Sequence, residues 1–343
     1  MARAILLGKT ACLNAGRLSR LLKNPEWELV ELLDEGDEAA LRSELPGAQA
    51  LIGLRWRSGW RELASDLKLV QALGAGVDAY EVGEGGGLPS GCALCNVYEH
   101  GVPVAEYVVG MMVALTVRLA SADRSLRQGV WVGSGRHDGQ THGELAGRSV
   151  GLIGWGSIGR EVARRLRAFD MRVRAVRANP RVDERADADW IGGPERLDEL
   201  LGVSDYVVVC CPLTGSTRRM LDRVRLAQVK RGAFLINVAR AEIVDELALY
   251  EALRERRLAG AALDVWYRYP IDAGTDPDQR MLPATLPFDE LENVIMTPHL
   301  SAWTEEMVER RWQKIAANLD ALAEGRPLAN LVCLADGERS IDS

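Results

Sequence analysis

The chain has 343 residues, of which 47% are hydrophobic and 27% charged, and its formal net charge is −7. A single hydrophobic core rarely extends over this length, so we expect two domains, and the composition is typical of a soluble globular protein. The excess of acidic residues disfavours binding to nucleic acid or to an anionic membrane.

Short apolar segments alternate with polar, helix-compatible ones through the first hundred residues. These segments are AILLG, ALIGL, LKLVQALG and CALCNV. Their rhythm predicts an α/β domain with a parallel sheet. The first segment is too short for the core of a signal peptide, and no apolar segment reaches the length of a membrane span. We therefore expect a cytoplasmic protein that does not contact a membrane.

A long helix and a second α/β domain are predicted next. Residues 102–129 combine small and apolar side chains on more than one face, which favours a helix packed on several sides. Strand-like segments resume at about residue 148, and the segment 267–292, rich in Pro and Asp, reads as a long loop. The six cysteines have no zinc-site spacing, so we expect reduced thiols and no metal site.

The segment VGLIGWGSIG has the spacing of a dinucleotide-binding turn. Gly154 permits the tight turn, Gly156 allows a pyrophosphate to approach the backbone, and Gly159 allows the helix to pack on the strand. The amides at the helix start, including those of Ser157 and Ile158, would face the phosphates. A tight βα turn without a ligand is the simpler alternative, but the strand before the motif and the helix after it favour nucleotide binding.

The end of the next predicted strand bears on the choice of cofactor. An acidic residue there would bind the ribose 2′-hydroxyl of NAD(H), but the sequence has Arg177, with Arg181 close by. A guanidinium suits a 2′-phosphate, so we predict NADP(H), with NAD(H) as the alternative. The other interpretation of Arg177 is a solvated residue at a strand end.

Together with this motif, five further segments resemble the D-isomer-specific 2-hydroxyacid dehydrogenases over almost the full chain. They are LGAGVD, VAEYVVGMMVAL, CCPLTGSTRRML, INVARAEIVDE and VIMTPHLSAWT. The resemblance implies two Rossmann-like, doubly wound parallel-sheet domains, with the nucleotide-binding domain inserted into the substrate domain. It divides the chain into a discontinuous substrate domain, 1–98 and 299–335, and a dinucleotide-binding domain, 99–298. It also implies a homodimer formed through the segment 103–146.

The same resemblance assigns the binding residues. The loop amides of Ala75, Gly76 and Val77 would hold the substrate carboxylate. The residues that would contact the cofactor, beyond the glycine motif and Arg177, are Cys211, Pro212, Thr217, Val238, Ala239 and Asp264. Asp264 would bind the nicotinamide carboxamide, although a strand-end turn residue is the alternative. The chain departs from the family at Cys210, where histidine is frequent, and at Ala241, where glycine is usual.

Arg240 and His299 match the catalytic arginine and the acid/base of the family. Their chemistry also suits the reaction, because reduction of a 2-keto acid needs a cation that holds the carboxylate and polarises the keto oxygen, and a proton donor with a pKa near neutrality. The chain has only four histidines, and a lone histidine is otherwise more often structural.

Tyr269 occupies the position of the family's third catalytic residue, a glutamate that keeps the histidine protonated. The match is tight, because LDVW anchors one side and Pro270 the other. Formate dehydrogenases, which are similar in fold, carry a neutral glutamine there, so a neutral residue is compatible with hydride transfer. Glu99 or His100, in NVYEHG, could replace the missing charge, and ordinary loop exposure is the alternative for both.

Arg55 follows another predicted strand, where family members often place a residue that contacts the substrate. Arg57 and Arg61 read as surface residues, although the cluster of arginines and tryptophans would also fit a larger or multiply charged acid. The leading hypothesis is thus a reductase of small 2-keto acids, working also as a 2-hydroxyacid dehydrogenase. The alternatives are oxidation of a small oxyanion such as formate, and a nucleotide-sensing protein like the corepressors of this superfamily.

Overall fold

The computed structural model describes residues 2–77, 79–82, 87–132, 141–180, 187–270 and 281–335. The strands in chain order are β1 (Ala2–Leu7), β2 (Trp27–Leu32), β3 (Ala50–Gly53), β4 (Leu69–Ala72), β5 (Ala93–Cys95), β6 (Ser149–Ile153), β7 (Arg172–Val176), β8 (Trp190–Gly192), β9 (Tyr206–Val209), β10 (Phe234–Asn237), β11 (Gly260–Leu263), β12 (Val294–Met296) and β13 (Leu331–Leu334). The α-helices are α1 (Lys9–Cys12), α2 (Ala15–Leu21), α3 (Glu38–Glu44), α4 (Gly101–Thr116), α5 (Leu119–Arg127), α6 (Ser157–Arg167), α7 (Leu197–Val203), α8 (Arg223–Gln228), α9 (Glu246–Arg254) and α10 (Glu305–Ala323).

The chain forms two compact units, and the second is inserted into the first. Unit 1 comprises Met1–Glu99 and Thr304–Ser343, and unit 2 comprises His100–Trp303. The segment 299–303, which the resemblance assigned to the discontinuous domain, therefore lies in unit 2. Two hydrogen bonds to the buried Asp264 tie this segment to β11, one from the amide of Leu300 and one from that of Ser301.

Unit 1 contains a six-stranded sheet in the order β13-β5-β4-β3-β1-β2. Strands β1 to β5 are parallel, and the order reverses between β1 and β3. Alternate side chains of β1 enter two cores, with Ala4 and Leu6 on one face and Ile5 and Leu7 on the other. At one edge of this sheet β13 pairs antiparallel with β5, and such an edge strand is common in otherwise parallel sheets.

Unit 2 contains a seven-stranded sheet in the order β12-β11-β10-β9-β6-β7-β8, and all its strand pairs are parallel. On β9, Val207 and Val209 face one core while Tyr206 and Val208 face the other. The order reverses between β6 and β9, and ligands of doubly wound sheets bind beyond the carboxyl ends of the strands at that point. The glycine motif that follows β6 lies there.

The single long helix predicted for residues 102–129 is wrong. The chain forms α4 and α5, bent by 60° at a break where Arg118 is left-handed with φ 55°. The hydroxyl of Thr116 donates to the carbonyl of Met112, 2.6 Å away, and such bonds compete with the helix ladder at a helix end. Within the described ranges, no single helix is long and apolar enough to cross a membrane, and only α4 and α5 counted together across their bend reach the required length and composition.

Three strands were not predicted from the sequence patterns. β2 has only one buried residue and two glutamates, and β8 and β13 are short. All three lie at sheet edges, where one face of the strand need not be apolar. The six cysteines all fall in the described part of the chain, and none of them forms a disulfide.

Candidate active site

The glycine motif forms the turn from β6 into α6. Gly154 has φ 118°, and a Cβ built on it would lie 2.7 Å from the carbonyl oxygen of Cys210. A Cβ on Gly159 would lie 2.4 Å from the carbonyl oxygen of Gly154, so both positions require glycine for reasons of the fold. A Cβ on Gly156 would meet no protein atom within 4 Å.

The start of α6 fits the phosphates of a dinucleotide. Gly156 is the N-cap and offers no side chain, so no side-chain cap accepts a hydrogen bond from the first turn of the helix, which includes Ser157 and Ile158. The glycine at 156 has no steric cause within the protein, which is consistent with a ligand that passes close to the backbone at that point. The residues present therefore fit an NAD(P) pyrophosphate.

The loop after β9 borders this turn. The thiol of Cys210 donates to the carbonyl of Gly154 at 3.3 Å, and burial raises the pKa of this thiol. Cys211 is half-buried and Pro212 is exposed. The hydroxyl of Thr217 donates to the carbonyl of Pro212 at 2.8 Å and accepts from the amide of Thr214 at 2.7 Å, so it shapes the loop itself.

Arg177 directly follows β7 and is half-buried. Its amide donates to the carbonyl of Gly192 at 3.0 Å, which ties the end of β7 to the end of β8. Arg177 thus lies at the carboxyl end of the strand next to β6, where the adenosine ribose binds in folds of this type. Arg181 lies outside the described residues.

Arg240 lies in a tight turn after β10 that a buried asparagine shapes. The Nδ2 of Asn237 donates to the carbonyl of Arg240 at 3.0 Å, and its Oδ1 accepts from the amide of Ala239 at 3.1 Å. Val238 and Ala239 are buried, whereas Arg240 is half-buried, and its Nη1 donates to the carbonyl of Ala239 at 2.8 Å. The side chain of Asn237 therefore holds the backbone of this turn, through two hydrogen bonds that do not involve the guanidinium of Arg240.

His299 and Tyr269 are in direct contact. The phenol oxygen of Tyr269 lies 3.0 Å from Nδ1 of His299, and it accepts a hydrogen bond from the amide of Trp266 at 3.2 Å. Because Trp266 already donates to this oxygen, the phenol O–H is the hydrogen best placed to donate to Nδ1. This arrangement assigns the proton of the neutral imidazole to Nε2.

Burial favours the neutral forms of both groups. Burial, followed by the positive charge of Arg240, lowers the pKa of His299, while the charge of Asp264 opposes this shift. Burial raises the pKa of Tyr269, so the phenol stays protonated at neutral pH. A neutral phenol thus stands where a carboxylate would hold the imidazole charged.

Asp264 is fully buried at the end of β11 and holds the segment that carries His299. Its Oδ1 accepts from the hydroxyl of Thr297 at 2.6 Å and from the amide of Leu300 at 2.9 Å, and its Oδ2 accepts from the amide of Ser301 at 2.9 Å. His299 itself has φ 56°, in the left-handed region that few residues other than glycine adopt. The carboxylate therefore stabilises a strained turn, in addition to any contact with a nicotinamide.

In unit 1, hydrogen bonds to two backbone carbonyls hold the loop after β4. The carbonyls of Ala75 and Val77 accept from Nδ2 of Asn96 and from the amide of Tyr80, each at 3.0 Å. Among the described residues, no acceptor is found for the amides of Ala75, Gly76 and Val77. Amides left available in this way can bind a carboxylate. Asp78, the last residue of the motif, lies outside the described residues.

Arg55 and Glu99, which the sequence suggested as residues of the substrate site, each form an ion pair with another residue of unit 1. Nε of Arg55 lies 2.5 Å from Oε2 of Glu35, and Nε of Arg310 lies 3.6 Å from Oε2 of Glu99. Each pair lowers the net charge that its arginine or glutamate can offer to a ligand. His100 belongs to unit 2 and is the N-cap residue of α4, with no hydrogen bond from its side chain to the helix.

The sequence motifs and the geometry of unit 2 point to one family. The D-isomer specific 2-hydroxyacid dehydrogenase NAD binding domain matches residues 109–301. The chain belongs to this family. It is 33% identical to the glyoxylate reductase of Thermofilum pendens, over 77% of this chain and 74% of that one, and 32% identical to the hydroxypyruvate reductase of Thermotoga maritima, over 82% and 83%.

A solved structure agrees with this assignment. The D-isomer specific 2-hydroxyacid dehydrogenase from Xanthobacter autotrophicus, in complex with NADPH and MES, aligns with a TM-score of 0.78 and 27% identity, over 97% of this chain and 98% of that one. This 2-hydroxyacid dehydrogenase is thus an NAD(P)-dependent oxidoreductase of small 2-hydroxy and 2-keto acids. The predicted family, the two α/β domains with one inserted, and the class of reaction are confirmed.

Several residues of this dehydrogenase that support the site were missed by the sequence patterns. Trp266 donates through its indole Nε1 to the carbonyl of Thr297 at 2.8 Å, and the hydroxyl of Tyr107 lies 2.6 Å from that of Thr297. Asn237 and Asn96 hold the two turns described above. An asparagine at the end of an apolar strand, or directly after it, was the available signal for the last two. In the part of the chain that the structure describes, no group of three or more His, Cys, Asp or Glu side chains could hold a metal ion.

Proposed function

We propose that the chain is an NADP(H)-preferring reductase of small 2-keto acids such as glyoxylate or hydroxypyruvate. The observation that carries this proposal is the cluster in unit 2, where His299 is hydrogen-bonded to Tyr269 and lies within the electrostatic influence of Arg240. A proton donor beside a fixed cation is the arrangement that reduction of a keto group next to a carboxylate requires.

Each residue of the cluster has a role in this proposal. The nicotinamide, when bound, supplies the hydride that reduces the keto carbon. The guanidinium of Arg240 binds the carboxylate and polarises the keto oxygen. The imidazolium form of His299 gives that oxygen its Nε2 proton, which leaves a neutral ring with a proton on Nδ1. Tyr269 fixes the orientation of the imidazole through its contact with Nδ1.

The pairing of Arg55 supports a small substrate. An acid with a second carboxylate or a phosphonate would need an uncompensated cation, but the guanidinium of Arg55 lies against the carboxylate of Glu35. The glyoxylate and hydroxypyruvate reductases among the relatives act, by their names, on small acids. We therefore assign Ala75, Gly76 and Val77, rather than Arg55, as the main anion contacts of unit 1.

A direct assay tests this function. The purified protein is mixed with NADPH or NADH and with glyoxylate or hydroxypyruvate, and separately with NADP⁺ and formate, while the absorbance of the reduced nicotinamide is followed. We expect saturable oxidation of NADPH by at least one of the two keto acids and no turnover of formate. Turnover of formate alone would replace this proposal with oxyanion oxidation, and absence of turnover with all three would favour a nucleotide-sensing role.

Replacement of Arg177 by aspartate is expected to shift cofactor preference from NADP(H) toward NAD(H). The guanidinium would form charge-assisted hydrogen bonds with a 2′-phosphate, and bonds of this kind contribute about 1.5–3 kcal/mol, which corresponds to roughly 10- to 100-fold in the ratio of kcat/KM values. Arg172→Asp is the matched control, because it makes the same charge change at the opposite end of β7. Equal use of NADPH and NADH by the unmodified protein would contradict the assignment.

We also propose a homodimer formed through the segment 103–146. Large apolar side chains are exposed along and directly after α5, namely Leu119, Leu126, Val130, Trp131 and Val132. Several large exposed apolar side chains within one segment favour a contact with another protein. A monomeric mass in light scattering would rule the dimer out.

A further inference from the structure

We propose that Tyr107, on helix α4, is a positioning residue that holds the turn bearing His299 through a chain of hydroxyls ending at Asp264. The hydroxyl of Tyr107 lies 2.6 Å from Oγ1 of Thr297, and that oxygen lies 2.6 Å from Oδ1 of Asp264. The inference rests on the proposed catalytic role of His299, but its structural part can be measured without any substrate.

The direction of the hydrogen bonds follows from the chemistry of the groups. An ionised carboxylate only accepts, so the hydroxyl hydrogen of Thr297 points to Asp264. The oxygen of Thr297 then accepts from Tyr107, whose O–H stays protonated because burial raises its pKa to about 12. The chain therefore runs in one direction, from the tyrosine through the threonine to the carboxylate.

Thr297 connects this chain to the catalytic turn. Its amide donates to the carbonyl of Leu263 on β11, and its own carbonyl accepts from the amide of His299 and from the indole of Trp266, at 3.0 Å and 2.8 Å. His299 follows two residues after Thr297 and has a left-handed φ of 56°. This conformation costs free energy and persists only where surrounding contacts hold it. On the other side of His299, the amides of Leu300 and Ser301 donate to Asp264.

Tyr107, on helix α4, thus restrains the side chain of Thr297, which donates to the carboxylate of Asp264. Without its hydroxyl, the oxygen of Thr297 loses a donor in a half-buried environment, and the threonine side chain is less restricted in its rotamer. A looser Thr297 weakens the hold of Asp264 on both sides of His299, so the imidazole samples orientations that do not suit proton transfer. Small displacements of a catalytic group lower the rate of the chemical step more than they lower binding.

The fold contains a matched control pair. Tyr206 lies 2.6 Å from the hydroxyl of Thr116, also on α4, and that hydroxyl donates to the carbonyl of Met112 at 2.6 Å. The Tyr206 pair therefore has the same oxygen–oxygen distance and the same direction as the Tyr107 pair, and both of its residues are buried in unit 2. The hydrogen bonds that start at Tyr206 end at a backbone carbonyl of α4, whereas those that start at Tyr107 end at Asp264.

The experiment compares Tyr107→Phe with Tyr206→Phe in the full-length protein. We expect hydrogen–deuterium exchange of residues 297–303 to accelerate by about three- to tenfold in Tyr107→Phe only, as the loss of one hydrogen bond predicts. The imidazole resonances of His299, one of four histidines, should shift in that variant alone. With a keto acid that is turned over, kcat should fall by a similar factor while KM and the Kd of NADPH stay unchanged.

Three further variants distinguish the loss of this hydrogen-bond chain from a general loss of structure. Thr297→Val breaks the same chain, so the double variant Tyr107→Phe/Thr297→Val should exchange no faster than Thr297→Val alone, whereas Thr297→Ser should behave like the unmodified protein. Equal exchange of residues 297–303 in Tyr107→Phe and Tyr206→Phe, or additive effects in the double variant, would overturn the proposal. If the local exchange changes as expected but no keto acid is turned over, the positioning role holds and the proposed function fails.

Discussion

Replacement of Arg240 by lysine is expected to lower kcat/KM for keto-acid reduction by on the order of 10²–10³-fold, as the loss of a preorganised donor at a developing oxyanion does. Lysine keeps the positive charge but lacks the planar fork that binds a carboxylate through two parallel hydrogen bonds. The Kd of NADPH should not change, because no part of the proposed phosphate-binding turn involves this side chain.

The fold of the Arg240→Lys variant should survive. Asn237 shapes the turn through the backbone carbonyl of residue 240 and the backbone amide of residue 239, and neither bond involves the guanidinium. The retained charge should also keep the pKa of His299 low, so the pH at which activity falls should not move. A variant that loses activity and also shifts its pH profile would indicate a rearranged site rather than a lost carboxylate contact.

Arg219→Lys is the control for this experiment. Arg219 is exposed and forms an ion pair with Asp245 at the start of α9, and an exposed pair of this kind contributes little to stability. Its kcat/KM should match that of the unmodified protein. Normal turnover by Arg240→Lys would remove Arg240 from the proposed substrate site.

The sequence was most informative where the cause of a structure is local. The spacing of Gly154, Gly156 and Gly159 reflects a turn whose atoms all come from two or three neighbouring segments, and the structure gives steric reasons for the first and last of them. The alternation of apolar segments identified most central strands of both sheets for the same reason, because a strand buried on both faces is apolar throughout.

The sequence was least informative where a contact joins distant segments. Tyr107 and Thr297 are 190 residues apart, and their hydroxyls meet only because α4 packs against the sheet of unit 2. The pairing of Arg55 with Glu35 depends on β2, an edge strand whose charged sequence concealed it. Likewise, a motif can assign Asp264 to the site but does not reveal the hydrogen bonds that its carboxylate accepts from residues 297, 300 and 301.

The identity of residue 269 is expected to set the pH range of reduction. Reduction needs protonated His299, so kcat/KM should fall as the pH rises through the pKa of this imidazole. Burial and the charge of Arg240 lower that pKa from its ordinary value of about 6.5, and the phenol of Tyr269, which donates to Nδ1, stabilises the neutral ring further. As the pH rises, the reductase activity of the unmodified protein should therefore already fall at pH values below about 6.5. Oxidation of the hydroxy acid should rise over the same pH range.

Tyr269→Glu should move this fall to higher pH. A carboxylate within reach of Nδ1 stabilises the imidazolium and raises its pKa, by about one to two units for a close pair. Tyr269→Phe is the matched control, since it also removes the phenol but adds no charge, and burial and Arg240 should keep its profile at low pH. A titration of the His299 imidazole by NMR in both variants shows directly whether the new carboxylate reaches the ring.

The remaining explanations are distinguished by the pH profile of kcat/KM for reduction. It is measured in four proteins, namely the unmodified protein, Tyr269→Glu, Tyr269→Phe and Glu99→Gln. Because the carboxylate of Glu99 lies near Arg310, at 3.6 Å, we expect Glu99→Gln to behave like the unmodified protein. A fall that moves to lower pH only in Glu99→Gln would instead make Glu99 the source of the missing negative charge. If the NMR titration moves in Tyr269→Glu while the kinetic profile does not, His299 is not the group whose protonation limits reduction. If no protein shows pH dependence and His299→Ala remains active, hydride transfer proceeds without an acid, as in the oxidation of formate.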